Sequence, residues 1–271
     1  MKYGFGIVGL GMIADFHARA IAEMEGGDVA ACYSRSAEKA GAFGEKFGCT
    51  GYTNYREFLA HEGLDIVSVC TPSGLHLEPT LEAVEAGKHV IVEKPLEVTL
   101  KRCDAMIEGA QRNGVTLAGI FPSRFHDVAS VIKEAVDEGR FGTVSLGDAY
   151  VKWFRTQEYY DEGGWKGTWK YDGGGALMNQ SIHAIDLLQW FMGPVVSVQA
   201  TTGILAHERI EVEDTAVAAL RFENGALGVI EGATSAYPGF LKRIEISGSN
   251  GSVVLEEEDL KLWQFADERE K

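Results

Sequence analysis

Three polar residues, Asn179, His183 and Asp186, stand in an apolar stretch, GGGALMNQSIHAIDLLQWFMG, at 173–193. If this stretch is one α-helix, about 100° per residue brings 179, 183, 186 and 190 into a single stripe closed by Trp190. Leu177, Met178, Ile182, Ile185, Leu187, Leu188, Phe191 and Met192 surround it, so the helix is expected to be buried. A buried polar stripe needs partners, either structural ones in the core or a ligand in a pocket that it faces. Lys94 is a second candidate. In Glu93-Lys94-Pro95 it follows the apolar run HVIVE, and Pro95 restricts Lys94 to an extended backbone, which ends the run and fixes where the side chain points. A third feature is Gly9-Leu10-Gly11-Met12-Ile13-Ala14, a G-x-G-x-x-A. There Gly9 permits a tight turn, Gly11 lets the backbone approach a pyrophosphate, Ala14 allows close packing of helix on strand, and the amides from Met12 and Ile13 onward face the phosphates.

These groups need elements to hold them. Strand-like runs at 4–10, 28–34, 65–70, 89–93 and 115–121 alternate with helix-period segments at 13–24, 37–47, 76–86 and 99–113. Such alternation predicts a doubly wound parallel sheet with right-handed crossovers, a dinucleotide-binding domain over 1–122. Ligands of such sheets bind outside the carboxyl ends of the strands. Thr71-Pro72-Ser73 and Glu93-Lys94-Pro95 therefore belong at the cofactor edge. The end of the second strand, about 20 residues past the fingerprint, reads the ribose. It carries Ser34 and Arg35 and no carboxylate, so a hydroxyl and a guanidinium could receive a 2′-phosphate, and NADP is preferred to NAD. The same residues also read as a turn in which Ser36 caps the next helix.

After Arg124-Phe125 the texture changes. A helix over about 128–138 precedes strand-like segments at 143–154, 195–205, 212–222, 226–234, 240–247 and 252–256, with Asn224-Gly225 and Asn250-Gly251 as hairpin signals. This predicts a second α/β domain over 123–271 with an open, mainly antiparallel sheet covered on one face by the 173–193 helix. Between them, 155–172 is rich in aromatic and glycine residues. With Lys166 and Lys170 interleaved, its aromatics, Trp165 among them, suit sugar rings as well as plain packing.

Composition limits the partners. Forty acidic against 25 basic residues leave a net charge of −15, which disfavours nucleic acid and anionic membrane surfaces and favours a small molecule. The four cysteines form no C-x-x-C pair, so reduced thiols and no metal site are expected. With no transmembrane-length apolar run, a cytoplasmic protein is expected.

Together, the G-x-G-x-x-A loop, Thr71-Pro72 with His76, Ala86-Gly87-Lys88-His89-Val90 leading into Glu93-Lys94-Pro95, and Gly173-Gly174-Gly175 through His183 and Asp186 to Trp190 resemble the glucose-fructose oxidoreductase / inositol dehydrogenase (Gfo/Idh/MocA) family. The resemblance covers nearly the whole chain. It implies NAD(P)-dependent oxidation or reduction of a sugar, sugar acid or cyclic polyol, and homo-oligomers, dimers or tetramers, joined through the open sheet face. It makes Lys94 and His183 the catalytic pair. Where many members carry aspartate, four residues before that histidine, this chain has Asn179. His76 and Glu93 are expected with Thr71, Pro72 and Ser73 at the cofactor, and Arg124 and Trp165 with Lys94, Asn179 and His183 at the substrate. The resemblance also implies a closing segment beyond the acidic run that ends at Lys271. Two other readings share the architecture: a redox-neutral glycosidase that uses tightly held NAD, and a cofactor-loaded sensor without catalysis, against which the retention of Lys94 and His183 speaks.

Overall fold

The computed structural model describes residues 2–266, so the acidic end at 267–271 lies outside the described residues. The chain divides into two compact units, residues 1–120 with 170–173, and 121–169 with 174–271. The first unit thus takes back a short segment, Lys170–Gly173, that no linear boundary near 122 would give it.

In the first unit β1 (Tyr3–Val8), α1 (Met12–Glu23), β2 (Gly27–Tyr33), α2 (Ala37–Phe47), β3 (Thr50–Tyr52), α3 (Tyr55–Leu59), β4 (Ile66–Val69), α4 (Leu77–Glu85), β5 (His89–Val92), α5 (Leu100–Asn113) and β6 (Leu117–Gly119) alternate as expected. The six parallel strands run in the order β3-β2-β1-β4-β5-β6. The order reverses beside β1, which places the switch point, where such sheets bind ligands, at the carboxyl ends of β1 and β4. Ile7, Val67, Val92, Phe58 and Met106 are among its fully enclosed core side chains. Helix ends follow their residues: Ser36 and Thr99 cap α2 and α5 by accepting amides, and Gly48 and Gly114 close them in the left-handed conformation. Two elements escape the sequence reading, β3 and α3. They are too short to show a period, and α3 is marked only by the Asn54 cap, which accepts from Arg56 and Glu57.

In the second unit α6 (Asp127–Asp137), β7 (Val144–Lys152), α7 (Gln157–Asp161), α8 (Ile182–Met192), β8 (Val195–Gly203), β9 (Thr215–Phe222), β10 (Leu227–Ala233), β11 (Arg243–Gly248), β12 (Gly251–Glu256) and β13 (Asp259–Phe265) build a seven-stranded sheet. Its order is β13-β12-β11-β7-β10-β9-β8, with β10 parallel to β7 and every other pairing antiparallel. α6 and α8 share a core with the sheet through Ile132, Leu187, Leu188, Phe191, Phe222, Ile244 and Phe265. β9 alternates buried and exposed positions, as a sheet covered on one face must. β13 was not expected. The turn before it contains no Asn-Gly; Glu257 itself takes the left-handed conformation, with φ 50°.

The largest correction concerns 173–193, which is not one α-helix. Ala176–Gln180 form a π-helical turn, and α8 begins only at Ile182. The Ser181 amide and hydroxyl both donate to the Ala176 carbonyl, each at 2.8 Å. Glu213 pins the entry: its carboxylate accepts the amides of Gly175 and Leu177, each at 2.9 Å. A Cβ on Gly175 would lie 1.7 Å from the Glu213 carbonyl oxygen, so glycine is required by close approach. The wider turn changes the angular step before Ser181, while His183, Asp186 and Trp190 keep α-helical spacing on α8. Among the described residues no helix is long and apolar enough to cross a membrane.

Candidate functional site

The dinucleotide loop is built as its residue types demand. Gly9 has φ +86°, and a Cβ there would lie 2.7 Å from the Thr71 amide nitrogen. Above Gly11 there is open space where a side chain would stand. No side chain caps α1, so the first-turn amides at Met12 and Ile13 are not spent on a cap, and Ala14 is fully enclosed against the sheet. These residues fit a dinucleotide pyrophosphate. At the end of β2, Ser34 Oγ accepts the Ser36 amide at 3.2 Å while Ser36 Oγ accepts that of Lys39 at 3.3 Å, so the capped-turn reading holds. Arg35 is exposed and has no carboxylate partner among the described residues.

Behind the strand ends lies a brace. His76 is 1% exposed; its Nδ1 is 3.0 Å from the Pro95 carbonyl and its Nε2 is 2.9 Å from that of Thr71. Expected at the cofactor, it instead ties the segment after β4 to the carbonyl of Pro95, the residue that follows the cis Lys94-Pro95 bond. Ser73 is buried as well, and Thr71 Oγ1 donates to the Leu75 carbonyl at 3.0 Å, leaving Thr71 and Pro72 as the half-buried members of that edge.

Glu93 is also turned inward. Its Oε1 lies 2.8 Å from Nε2 of His17, and its Oε2 accepts the Lys94 amide at 3.0 Å. His17 Nδ1 in turn is 2.7 Å from Ser68 Oγ. Burial works against the charged imidazole, but the Cys70 and Glu93 side chains outweigh it and His17 is pushed up to about 10. Burial likewise opposes the Glu93 carboxylate, yet His17 and Lys94 hold it below its usual range. Burial lowers the Lys94 ammonium, opposed by the negative charges of Glu93 and Asp172. His17 was missed by motif reading. Its signal is helical spacing, because it sits on the same face of α1 as the buried Ala14, Ala18 and Ile21.

In the second unit Asp186 is paired with Arg124. Nε and Nη2 of Arg124 donate to Oδ2 and Oδ1 at 2.7 and 2.6 Å, and the guanidinium lies 5.6 Å from the Trp190 ring. Arg124, expected at the substrate, therefore gives its fork to the helix. Trp165 is half-buried in the aromatic segment, where its carbonyl accepts the Thr168 hydroxyl at 2.7 Å. Gln180, next to Asn179, is buried and bonds Arg155 at 2.8 Å and the Tyr159 hydroxyl at 3.0 Å, a group that motif reading did not single out.

Residues 3–121 match the oxidoreductase family with an NAD-binding Rossmann fold, and residues 130–254 match the GFO/IDH/MocA C-terminal domain. The chain is also 31% identical over 253 residues to the myo-inositol 2-dehydrogenase of Thermotoga maritima, covering 92% of this chain and 73% of that protein. The chain belongs to the GFO/IDH/MocA family. This family member is 28% identical over 258 residues to the 1,5-anhydro-D-fructose reductase of Ensifer adhaerens, 92% of this chain and 74% of that protein. Among solved structures it is similar to the WlbA dehydrogenase of Chromobacterium violaceum in complex with NADH and UDP-GlcNAcA. That likeness has a TM-score of 0.93 and 36% identity, and covers 98% of this chain and 78% of that one. The Bordetella pertussis WlbA dehydrogenase gives a TM-score of 0.93 at 37% identity, covering 98% and 84%. As a GFO/IDH/MocA member the chain is an oxidoreductase with an NAD-binding Rossmann domain followed by a mixed, mostly antiparallel sheet.

Proposed function

We propose that the protein transfers a hydride between a nicotinamide cofactor and a secondary hydroxyl or carbonyl carbon of a sugar, sugar acid or cyclic polyol. The observation that carries this reading is Lys94 at the carboxyl end of β5, buried enough that its ammonium is held below the usual lysine range. A lysine that sheds its proton more readily than usual is better suited to take one from a substrate hydroxyl. The bound nicotinamide supplies the hydride acceptor or donor. Lys94 and His183 handle the hydroxyl proton, and Asn179 orients the hydroxyl by its amide. The names of the relatives, inositol dehydrogenase, anhydrofructose reductase and WlbA dehydrogenase, support a carbohydrate or polyol as substrate.

For the cofactor, Ser34 and Arg35 in place of a carboxylate at the end of β2 favour NADP, whereas the NADH held by both WlbA structures favours NAD. For assembly, the open sheet face is the surface expected between protomers, since Val217 and Leu227 are exposed there and β8 leaves an edge unpaired. A screen of the purified protein against sugars, inositols, sugar acids and nucleotide sugars, read as nicotinamide absorbance with NAD and NADP, tests the reading. Substrate-dependent reduction supports it. Sugar release with no net absorbance change would instead make the protein a redox-neutral glycosidase, and cofactor binding with neither would make it a sensor.

A further inference from the structure

Two cations of the second unit share one aromatic ring and no carboxylate. The Arg155 guanidinium lies 5.3 Å from the Tyr159 ring and 5.4 Å from that of Trp153. Lys166 Nζ lies 3.9 Å from the same Tyr159 ring and donates to the Tyr159 carbonyl at 3.0 Å. Neither cation has an acidic partner among the described residues. Among the described residues, Nη2 of Arg155 makes its side-chain hydrogen bond to the neutral amide oxygen of Gln180 at 2.8 Å, and its Nε is buried with no hydrogen-bond partner. Arg35, Arg56 and Arg221 also lack carboxylate partners among the described residues, but they stand on the surface, where water solvates them; Arg155 is half-buried.

In a chain with 40 acidic and 25 basic residues, a partly desolvated guanidinium with no countercharge is the exception. Ring faces attract the cation but leave its N–H donors unmet. The fold nevertheless fixes it in place. The Arg155 amide donates to the Thr234 carbonyl at 2.7 Å, and the Arg155 carbonyl lies 2.9 Å from His207 Nε2. His207 Nδ1 is 3.0 Å from the fully buried Asp214, whose carboxylate also accepts the amides of Leu205, Ala206 and His207, each at 2.9 Å. Gln180 is fixed from its other end by donating to the Tyr159 hydroxyl, and it belongs to the π-helical turn beside Asn179. A held cation of this kind beside the candidate substrate residues is preorganised for an oxyanion.

We propose that Arg155 and Lys166 form an anion subsite of the substrate pocket, receiving a carboxylate or phosphate oxygen, so that the substrate is a negatively charged sugar derivative and not a neutral polyol. This rests on the carbohydrate reading above and narrows it. Calorimetric titration of the NADH-loaded full chain with UDP-GlcNAcA, UDP-GlcNAc and UDP tests it without requiring turnover. The wild type is expected to bind UDP-GlcNAcA. Arg155→Gln should weaken that binding about tenfold or more with NADH affinity kept, and Arg155→Lys less, because the charge survives and the fork does not. A loss confined to UDP-GlcNAcA identifies the anion as the carboxylate; an equal loss for all three identifies it as the diphosphate. Lys166→Gln, on an irregular segment, repeats the test if the arginine variant does not fold, and should then lose at least threefold on the same probe. Unchanged binding in the folded variants, or a wild type that binds none of the three, would overturn the subsite. Binding that follows this pattern without any hydride transfer would overturn the redox reading and leave the subsite standing.

Discussion

The imidazole of His17 and the carboxylate of Glu93 lie 2.8 Å apart with side chains only 13% and 11% exposed, and the same carboxylate holds the backbone amide of Lys94. The dinucleotide helix α1 and the end of β5 are thereby joined directly under the candidate catalytic lysine. Removing one partner of a buried pair strands the other charge, so His17→Ala should cost roughly 3 kcal/mol of stability at pH 6. The pH dependence has a definite sign. His17 is raised from 6.5 to about 10, so its contribution is full below 6.5, declines above it and is gone once pH exceeds about 10. Glu93 is lowered, so its contribution is present above its ordinary value of 4.5 and is lost as pH falls through the folded value. Denaturant unfolding of wild type and variant should therefore differ most between about pH 4.5 and 6.5 and converge above pH 10. A difference that persists unchanged at pH 11 would mean the pair is not ionic.

Lys94→Ala should lower turnover roughly 10²-fold or more, as expected for loss of a positioned acid or base, with dinucleotide affinity largely kept. Near-normal turnover would leave Lys94 as a structural residue.

Asp172 raises the Lys94 pKa against the lowering effect of burial. Asp172→Asn removes that opposition, so the base form of Lys94 is reached at lower pH. The rise of kcat/KM in the oxidative direction should move to lower pH, measured alongside a thermal melt because Asp172 is 2% exposed. A shift the other way would show that Asp172 does not act on Lys94 through its charge.

If Arg35 meets a 2′-phosphate, Arg35→Ala should weaken NADP binding about tenfold or more, a charge-assisted contact being worth roughly 1.5–3 kcal/mol, and barely change NAD binding. Equal losses for both cofactors in paired titrations would remove the case for NADP.

Asn179→Asp restores the carboxylate that many family members carry. A negative charge one turn from His183 stabilises the protonated imidazole, so the apparent pKa of the base should rise and the pH–rate profile should move up by roughly one unit. Coincident profiles for wild type and variant would show that position 179 is not electrostatically coupled to the base.

What could be read from the chain was what neighbours in sequence determine. Strand and helix alternation through residue 121, the Gly9–Gly11 turn, the Ser36 cap and the antiparallel runs after residue 143 all depend on periodicity and turn chemistry within a few residues. Lys94 was legible for the same reason, since a strand end followed by proline is a local signal. The partners of the polar side chains were not. His17 meets Glu93 across 76 positions, Arg124 meets Asp186 across 62, and Arg155 meets Gln180 across 25. Each pairing is selected by desolvation: a buried polar group takes whichever complementary atom the packed fold brings within about 3 Å, and residue type names the need without naming the partner. The same holds for 173–193. Its composition calls for a buried helix, and the sequence alone does not show that its first residues form a wider π turn, whose entry amides are held by the Glu213 carboxylate from far along the chain.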